Sequence, residues 1–129
     1  MSGAAARIVR HPAPVYPGIS DSVRVSAGDL LFVSGVVGLE DDGSAPPDFD
    51  RAVELAYEGL RRAVTVGGNS FAGIVRVNVY IVGLDDDRLR RWRAIRDRFI
   101  SSDLPASTLI GVESLVGGAE IEIDAVVAV

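Results

Sequence analysis

The sequence predicts an α+β domain in which one β-sheet carries two helices on one face, and three observations predict it. Residues 74–82, IVRVNVYIV, alternate apolar and polar side chains, the period-two pattern of a half-buried strand. Two stretches, beginning near residues 49 and 86, repeat their apolar residues at helical spacing. Short, largely apolar runs of strand length lie on either side of them, at 30–35, 107–112 and 119–129. At 129 residues the chain suits one domain over 1–129, long enough to bury a core without covalent staples.

Taken in order, ARIVR at residues 6–10 is a short first strand, and HPAPVYPG at 11–18, rich in proline, is loop or extended chain. Val23 and Val25 alternate with polar neighbours. SAGD at 26–29 then supplies a turn, and LLFVSG at 30–35 a second apolar run, so the two are expected to pair as a hairpin. GLEDDGSAPP at 38–47 is an exposed loop. Asp48 or Asp50 can cap the first helix, whose inner face is Phe49, Val53, Ala56, Tyr57, Leu60 and Ala63 and which ends near Gly67-Gly68. In the strand 74–82, Val75, Val77, Val79 and Ile81 share one face, and Arg76, Asn78 and Tyr80 the other. The second helix, roughly 86–101, carries Leu89, Trp92, Ile95 and Phe99 as its apolar stripe. Its arginines interleave with Asp85, Asp86, Asp87 and Asp97, which reads as a solvated face rather than an anion-binding patch. Trp92 reads as core rather than as part of a binding site. The strands 107–112 and 119–129 close the order. Two helices cover one sheet face and leave the other bare, a reason to expect an oligomer.

Composition narrows the chemistry. There is no cysteine, which removes disulfides and thiolate metal sites, and the single histidine, His11, cannot build a histidine metal site or a nucleophile–histidine–acid set. A formal charge of −5 disfavours a phosphate backbone as partner. No apolar run reaches membrane-spanning length and the N-terminus lacks the apolar core of a signal peptide, so a cytoplasmic location with no membrane partner is expected.

Several segments, taken together and in order, resemble one family. They are Val33-Ser34-Gly35, the strand 74–82 followed by Gly83-Leu84-Asp85, Leu104-Pro105-Ala106-Ser107-Thr108, and Glu120-Ile121-Glu122-Ile123-Asp124-Ala125. The chain is identified by them as a member of the Rid (reactive intermediate deaminase, or YjgF) family, over essentially its whole length. The resemblance implies a mixed sheet with two helices on one face and a barrel-like homotrimer. It also implies small-molecule clefts between subunits, where enamines and imines such as 2-aminoacrylate are hydrolysed to a 2-oxo acid and ammonia without metal or organic cofactor. It makes Glu122 the acid that holds or activates the attacking water. Ser34 and Gly35 become the cleft floor, and Ser107, Thr108 and the backbone around Leu109 become substrate-binding groups.

Two family residues are replaced. Deaminating members carry an arginine at the position of Ser107, where a guanidinium grips the substrate carboxylate through two parallel hydrogen bonds. A serine there forgoes about 2–5 kcal/mol, or roughly 30-fold to several-thousand-fold in affinity, unless another arginine such as Arg24 or Arg76 compensates. The family's cleft tyrosine, counted back from Ser34-Gly35, falls on Asp21, which would repel an acid and welcome an amine, while an offset alignment would use Tyr16. Asp124 shares a strand face with Glu122 and reads as structural polar packing rather than as half of an acid pair. Two functions stay open at this point: an atypical Rid-type hydrolase or tautomerase, and a trimer that binds small metabolites without turning them over. They divide on whether Glu122 points into an enclosed intersubunit cleft.

Overall fold

The computed structural model describes residues 7–129. Six strands form one mixed sheet: β1 (Ile8–Pro12), β2 (Ser20–Val25), β3 (Leu30–Val37), β4 (Ile74–Val82), β5 (Ala106–Val112) and β6 (Ile121–Ala128). Two helices, α1 (Phe49–Val66) and α2 (Asp86–Phe99), pack on one side of it. The strand order is β1-β2-β5-β4-β6-β3, with β4 parallel to β5 and antiparallel to β6. Each helix opens on the cap its sequence offers. Asp48 accepts from the Arg51 N–H and Asp85 from the Arg88 N–H, both at 2.8 Å. α1 ends where the Gly67 N–H returns to the carbonyl of Ala63.

The core lies between the sheet and the helices. Val77, Val79 and Ile81 of β4 and Ile121, Ile123 and Val127 of β6 meet Val53, Tyr57, Leu60 and Val64 of α1. α2 adds Trp92 and Ile95 to it. Inside this apolar volume the indole N–H of Trp92 donates to the Tyr57 hydroxyl at 3.1 Å. Burial raises the Tyr57 pKa well above its ordinary value, so the hydroxyl stays neutral. Tyr57→Phe leaves that indole N–H without its acceptor and is expected to lower stability by about 1–3 kcal/mol in urea unfolding. An unchanged midpoint would mean that Trp92 finds another acceptor.

The expected hairpin of 23–25 with 30–35 does not form. β2 pairs with β1 and touches β5 at Ser20↔Ala106, whereas β3 pairs with β6 at the other end of the sheet. The segment between β2 and β3 is held by β1's side of the chain instead. Arg7 donates to the carbonyls of Ala27 (2.9 Å) and Asp29 (2.7 Å), and the Ser26 N–H donates to the Arg7 carbonyl. The first strand also runs later than 6–10, taking in His11 and Pro12, and Ala6 lies outside the described residues. Among the described residues no helix is long and apolar enough to cross a membrane.

Candidate functional site

The sheet face away from the helices is built by register. Tyr80 of β4 pairs with Glu122 of β6 and Ile110 of β5, and Asn78 pairs with Asp124 and Thr108. Side chains opposite one another in a sheet share a face, so these residues form one open surface, joined by Arg76, Val126 and Phe32. Its middle is a hydrogen-bonded polar row. Arg76 donates to Thr108 Oγ1 (2.5 Å) and Asn78 Oδ1 (3.1 Å), Asn78 to Asp124 Oδ1 (2.8 Å), and the Tyr80 hydroxyl to Asp124 Oδ2 (3.3 Å). The neighbouring Asp124 carboxylate, with some burial, raises the Tyr80 pKa and keeps that hydroxyl a donor. Asp124 is thus occupied by Asn78 and Tyr80, in keeping with structural polar packing.

Glu122 stands next to this row and is half-buried. The β3–β6 ladder slips between Val33 and Val36, which leaves Ser34 and Gly35 as a bulge. The Glu122 carboxyl lies directly over it: a Cβ placed on Gly35 would fall 2.1 Å from Glu122 Oε2. Gly35 and Glu122 are therefore in contact, with Ser34 exposed alongside.

Ser107 belongs to a different surface. It pairs with Val77, whose side chain faces the helices, and it lines a cavity of about 330 Å³ between β5, α2 and the segment before β2. Leu109 lines the same cavity, together with Tyr16, Leu89, Trp92, Arg93 and Arg96. The residues assigned to substrate thus fall into two groups within one chain: Ser34, Gly35 and Glu122 at the β3–β6 end, and Ser107 with Leu109 at the β5–α2 edge. Thr108 lies between them on the open face. Three strand steps of ~4.8 Å separate β5 from β3, and the Ser107 and Glu122 side chains leave opposite faces. A single chain does not bring them together.

The chain's place among known proteins agrees with this architecture. The family model described as Endoribonuclease L-PSP matches residues 15–129. The chain is similar to the RutC family protein YjgH of Escherichia coli, at 32% identity over 74% of this chain and 73% of that protein. The chain belongs to the Rid/YjgF family. It is also similar to the 2-iminobutanoate/2-iminopropanoate deaminase of Dermatophagoides farinae, at 27% identity over 95% of this chain and 96% of the other. In fold it matches the crystal structure of the Rid-family protein YyfB of Yersinia pestis, with a TM-score of 0.83, covering 95% of this chain and 99% of that one at 23% identity.

Three further placements within this Rid/YjgF chain bear on the site. Asp21 is exposed on β2 and does not line the cavity beside Ser107, whereas Tyr16 does. Arg24 is exposed on β2, and Arg76 is engaged on the open face, so neither stands beside Ser107. The arginine-rich side of α2 is not wholly a solvated face. Arg96 is 5% exposed, packed on the Gly18 backbone and stacked over Trp92 with 4.8 Å from guanidinium to ring centroid. Spacing held the signal: Arg93 follows Leu89 by four residues and Arg96 follows Trp92 by four, which places both beside the apolar stripe. Trp92 is core, as expected, and also walls the cavity. Among the described residues no cluster of His, Cys, Asp or Glu side chains is arranged to hold a metal ion.

Proposed function

We propose that the chain is an atypical Rid-type enzyme of the cytoplasm that hydrolyses or tautomerises a reactive enamine or imine, with Glu122 as its acid–base group. The single observation that carries this reading is the seating of the Glu122 carboxyl over the Gly35 bulge. There a carboxylate stands half-buried beside backbone that a ligand can approach closely. The neighbouring carboxylate Asp124 is tied to Asn78 and Tyr80, which leaves Glu122 free for the water. The similarity to an imine deaminase over nearly the full length supports the same chemistry.

The reaction follows from the group. An enamine first takes a proton from water at carbon and becomes an iminium ion. Water then adds to the C=N carbon: its oxygen forms the new C–O bond, one of its protons passes to the Glu122 carboxylate, and the C=N electron pair returns to nitrogen, leaving a neutral amine. The protonated Glu122 returns that proton to nitrogen as the C–N bond breaks. Ammonia leaves, and the hydroxyl gives its proton back to water as the carbonyl forms. No step calls on a cofactor.

The cleft is completed by assembly, on this reading. The Glu122 group and the Ser107 group lie on separate strands and opposite faces of the sheet, so a homotrimer that sets the β3–β6 end of one copy against the β5–α2 side of the next makes one site from two halves. The bare sheet face, with Phe32, Leu30 and Ile110 exposed, supports such an assembly. Ribonuclease activity is not part of the proposal. The formal charge is −5, and Arg88, Arg90, Arg91, Arg96 and Arg98 of α2 are each paired with a carboxylate.

Ser107 in place of a carboxylate-gripping arginine is the observation that favours a second reading, a trimeric small-molecule binder without turnover. Ammonia and 2-oxo acid release from enzymatically generated 2-aminoacrylate decides between them. Release faster than in buffer, lowered about 100-fold or more in Glu122→Gln, is the expected result. Equal rates with and without the protein would leave only the binder for this substrate. Rates unaffected by Glu122→Gln would remove Glu122 from the chemistry.

A further inference from the structure

Of the arginines on α2, Arg93 alone enters no ion pair among the described residues. Arg88 reaches Glu120 (2.7 Å), Arg91 reaches Asp50 (2.8 Å), Arg96 reaches Asp97 (2.9 Å), Arg98 reaches Glu54 (2.8 Å), and Arg90 bonds to Asp87. Arg93 also makes no hydrogen bond through its Nε, which is shut off from solvent. A buried donor left unpaired costs about 1–3 kcal/mol, more on a charged group. Such a group is ordinarily matched by an acceptor, and the side chain lines the cavity of about 330 Å³ that also holds Ser107.

The rest of the lining says what kind of acceptor fits. Tyr16 and Ser107 bring two hydroxyl-bearing side chains, and among the described residues no carboxylate lines this cavity. Leu89, Leu109 and Trp92 supply apolar wall. Arg96, the other cation here, is held by Asp97 and Trp92. One uncommitted guanidinium facing an apolar pocket with nearby hydroxyls suits a small monoanion with an apolar side group. We propose that Arg93 takes the carboxylate of a small organic acid whose side group packs on Leu89, Leu109 and Trp92. The cation that Ser107 does not provide then comes from the helix instead of the strand. The inference rests on the proposed reading for the idea that this acid is the substrate or product of the Glu122 chemistry. The binding itself needs only the cavity.

Titration calorimetry on the full chain tests it with two probes of equal shape, 4-methylpentanoate and its neutral amide. The acid is expected to bind at least tenfold more tightly than the amide. Arg93→Gln should weaken the acid about 30-fold or more and change the amide less than threefold, and Arg93→Lys should recover part of the loss. Equal binding of acid and amide to the unaltered protein, or acid binding indifferent to Arg93→Gln, overturns the assignment. The first comparison needs no variant, so it decides even if Arg93→Gln fails to fold. Acid binding that depends on Arg93, with no turnover of 2-aminoacrylate, would uphold this site and count against the enzyme reading for that substrate. Turnover that is indifferent to Arg93→Gln, alongside equal binding of acid and amide, would do the reverse.

Discussion

Phe32→Asp is expected to reduce the protein to monomers at micromolar concentration while leaving the chain folded. Phe32 is 72% exposed on β3, and Leu30 at 46% and Ile110 at 45% stand on the same sheet face. None of the three is needed to fill the core between sheet and helices. In a trimer joined through this face each phenyl ring would leave water, worth about 1.5–3 kcal/mol per copy. A carboxylate in its place would have to be desolvated without a partner at a cost of several kcal/mol, repeated in every copy. Light scattering after size exclusion reads the mass, and circular dichroism reads the fold. Val66→Asp is the matching control. Val66 is 89% exposed at the end of α1, away from the open sheet face, and its substitution should leave the mass unchanged. A monomeric unaltered protein, or a Phe32→Asp protein of unchanged mass, would remove this face as the joining surface. On the proposed trimeric reading, activity should fall along with the mass, because the two halves of the proposed site would be separated.

What the sequence makes legible, and what it hides, follows from the range of the forces involved. β4 is readable because period two is local. A residue's neighbours on the chain decide which face it takes, and Val77, Val79 and Ile81 do face the core. α1 and its Asp48 cap are readable for the same reason. Which strand lies beside which is a long-range matter. Residues 23–25 and 30–35 carry the pattern of a hairpin, but alternation fixes a strand's face and not its partner. β3 gains more by setting Leu31 and Val33 against the core beside β6 than by pairing with a half-polar β2. The candidate site divides along the same line. Gly35 and Glu122 come from the resemblance, and the contact between them follows from a bulge that no local pattern announces. Asp21 is reached by counting back from Ser34-Gly35 across the turn between β2 and β3, where one inserted residue moves the register, and Tyr16, from the proline-rich segment before β2, is the residue that lines the cavity beside Ser107. Arg93 and Arg96 are obscured by residue type. A run of arginines reads as solvent-facing, yet a long aliphatic stem lets an arginine lie along apolar surface, and only its angular place on the helix shows which way it goes.

The same glycine-to-alanine change at two nearby positions, Gly35 in β3 and Gly38 just after it, should produce opposite readouts. At Gly35 the new methyl would meet Glu122 Oε2 at 2.1 Å and Glu122 Cδ at 2.8 Å, the far end of a flexible side chain. The backbone there has no left-handed torsion to forbid alanine. The fold therefore yields at small cost, within about 1 kcal/mol, by swinging the carboxyl aside. A displacement of roughly 1 Å in a reacting group is enough to lose about 100-fold in rate. At Gly38 the methyl would meet the Ala52 carbonyl oxygen at 2.3 Å and its carbon at 2.9 Å, both backbone of α1. The helix cannot rotate away from the sheet it covers, so Gly38→Ala is expected to cost about 1–3 kcal/mol of stability. Paired measurements of thermal unfolding and 2-aminoacrylate turnover separate the two. A stable but slow Gly35→Ala and an unstable Gly38→Ala would mean that the position of the Glu122 carboxyl, not merely its presence, sets the rate. A Gly35→Ala protein of full activity would mean that the carboxyl works from somewhere other than the bulge, and the reading of the site would have to move with it.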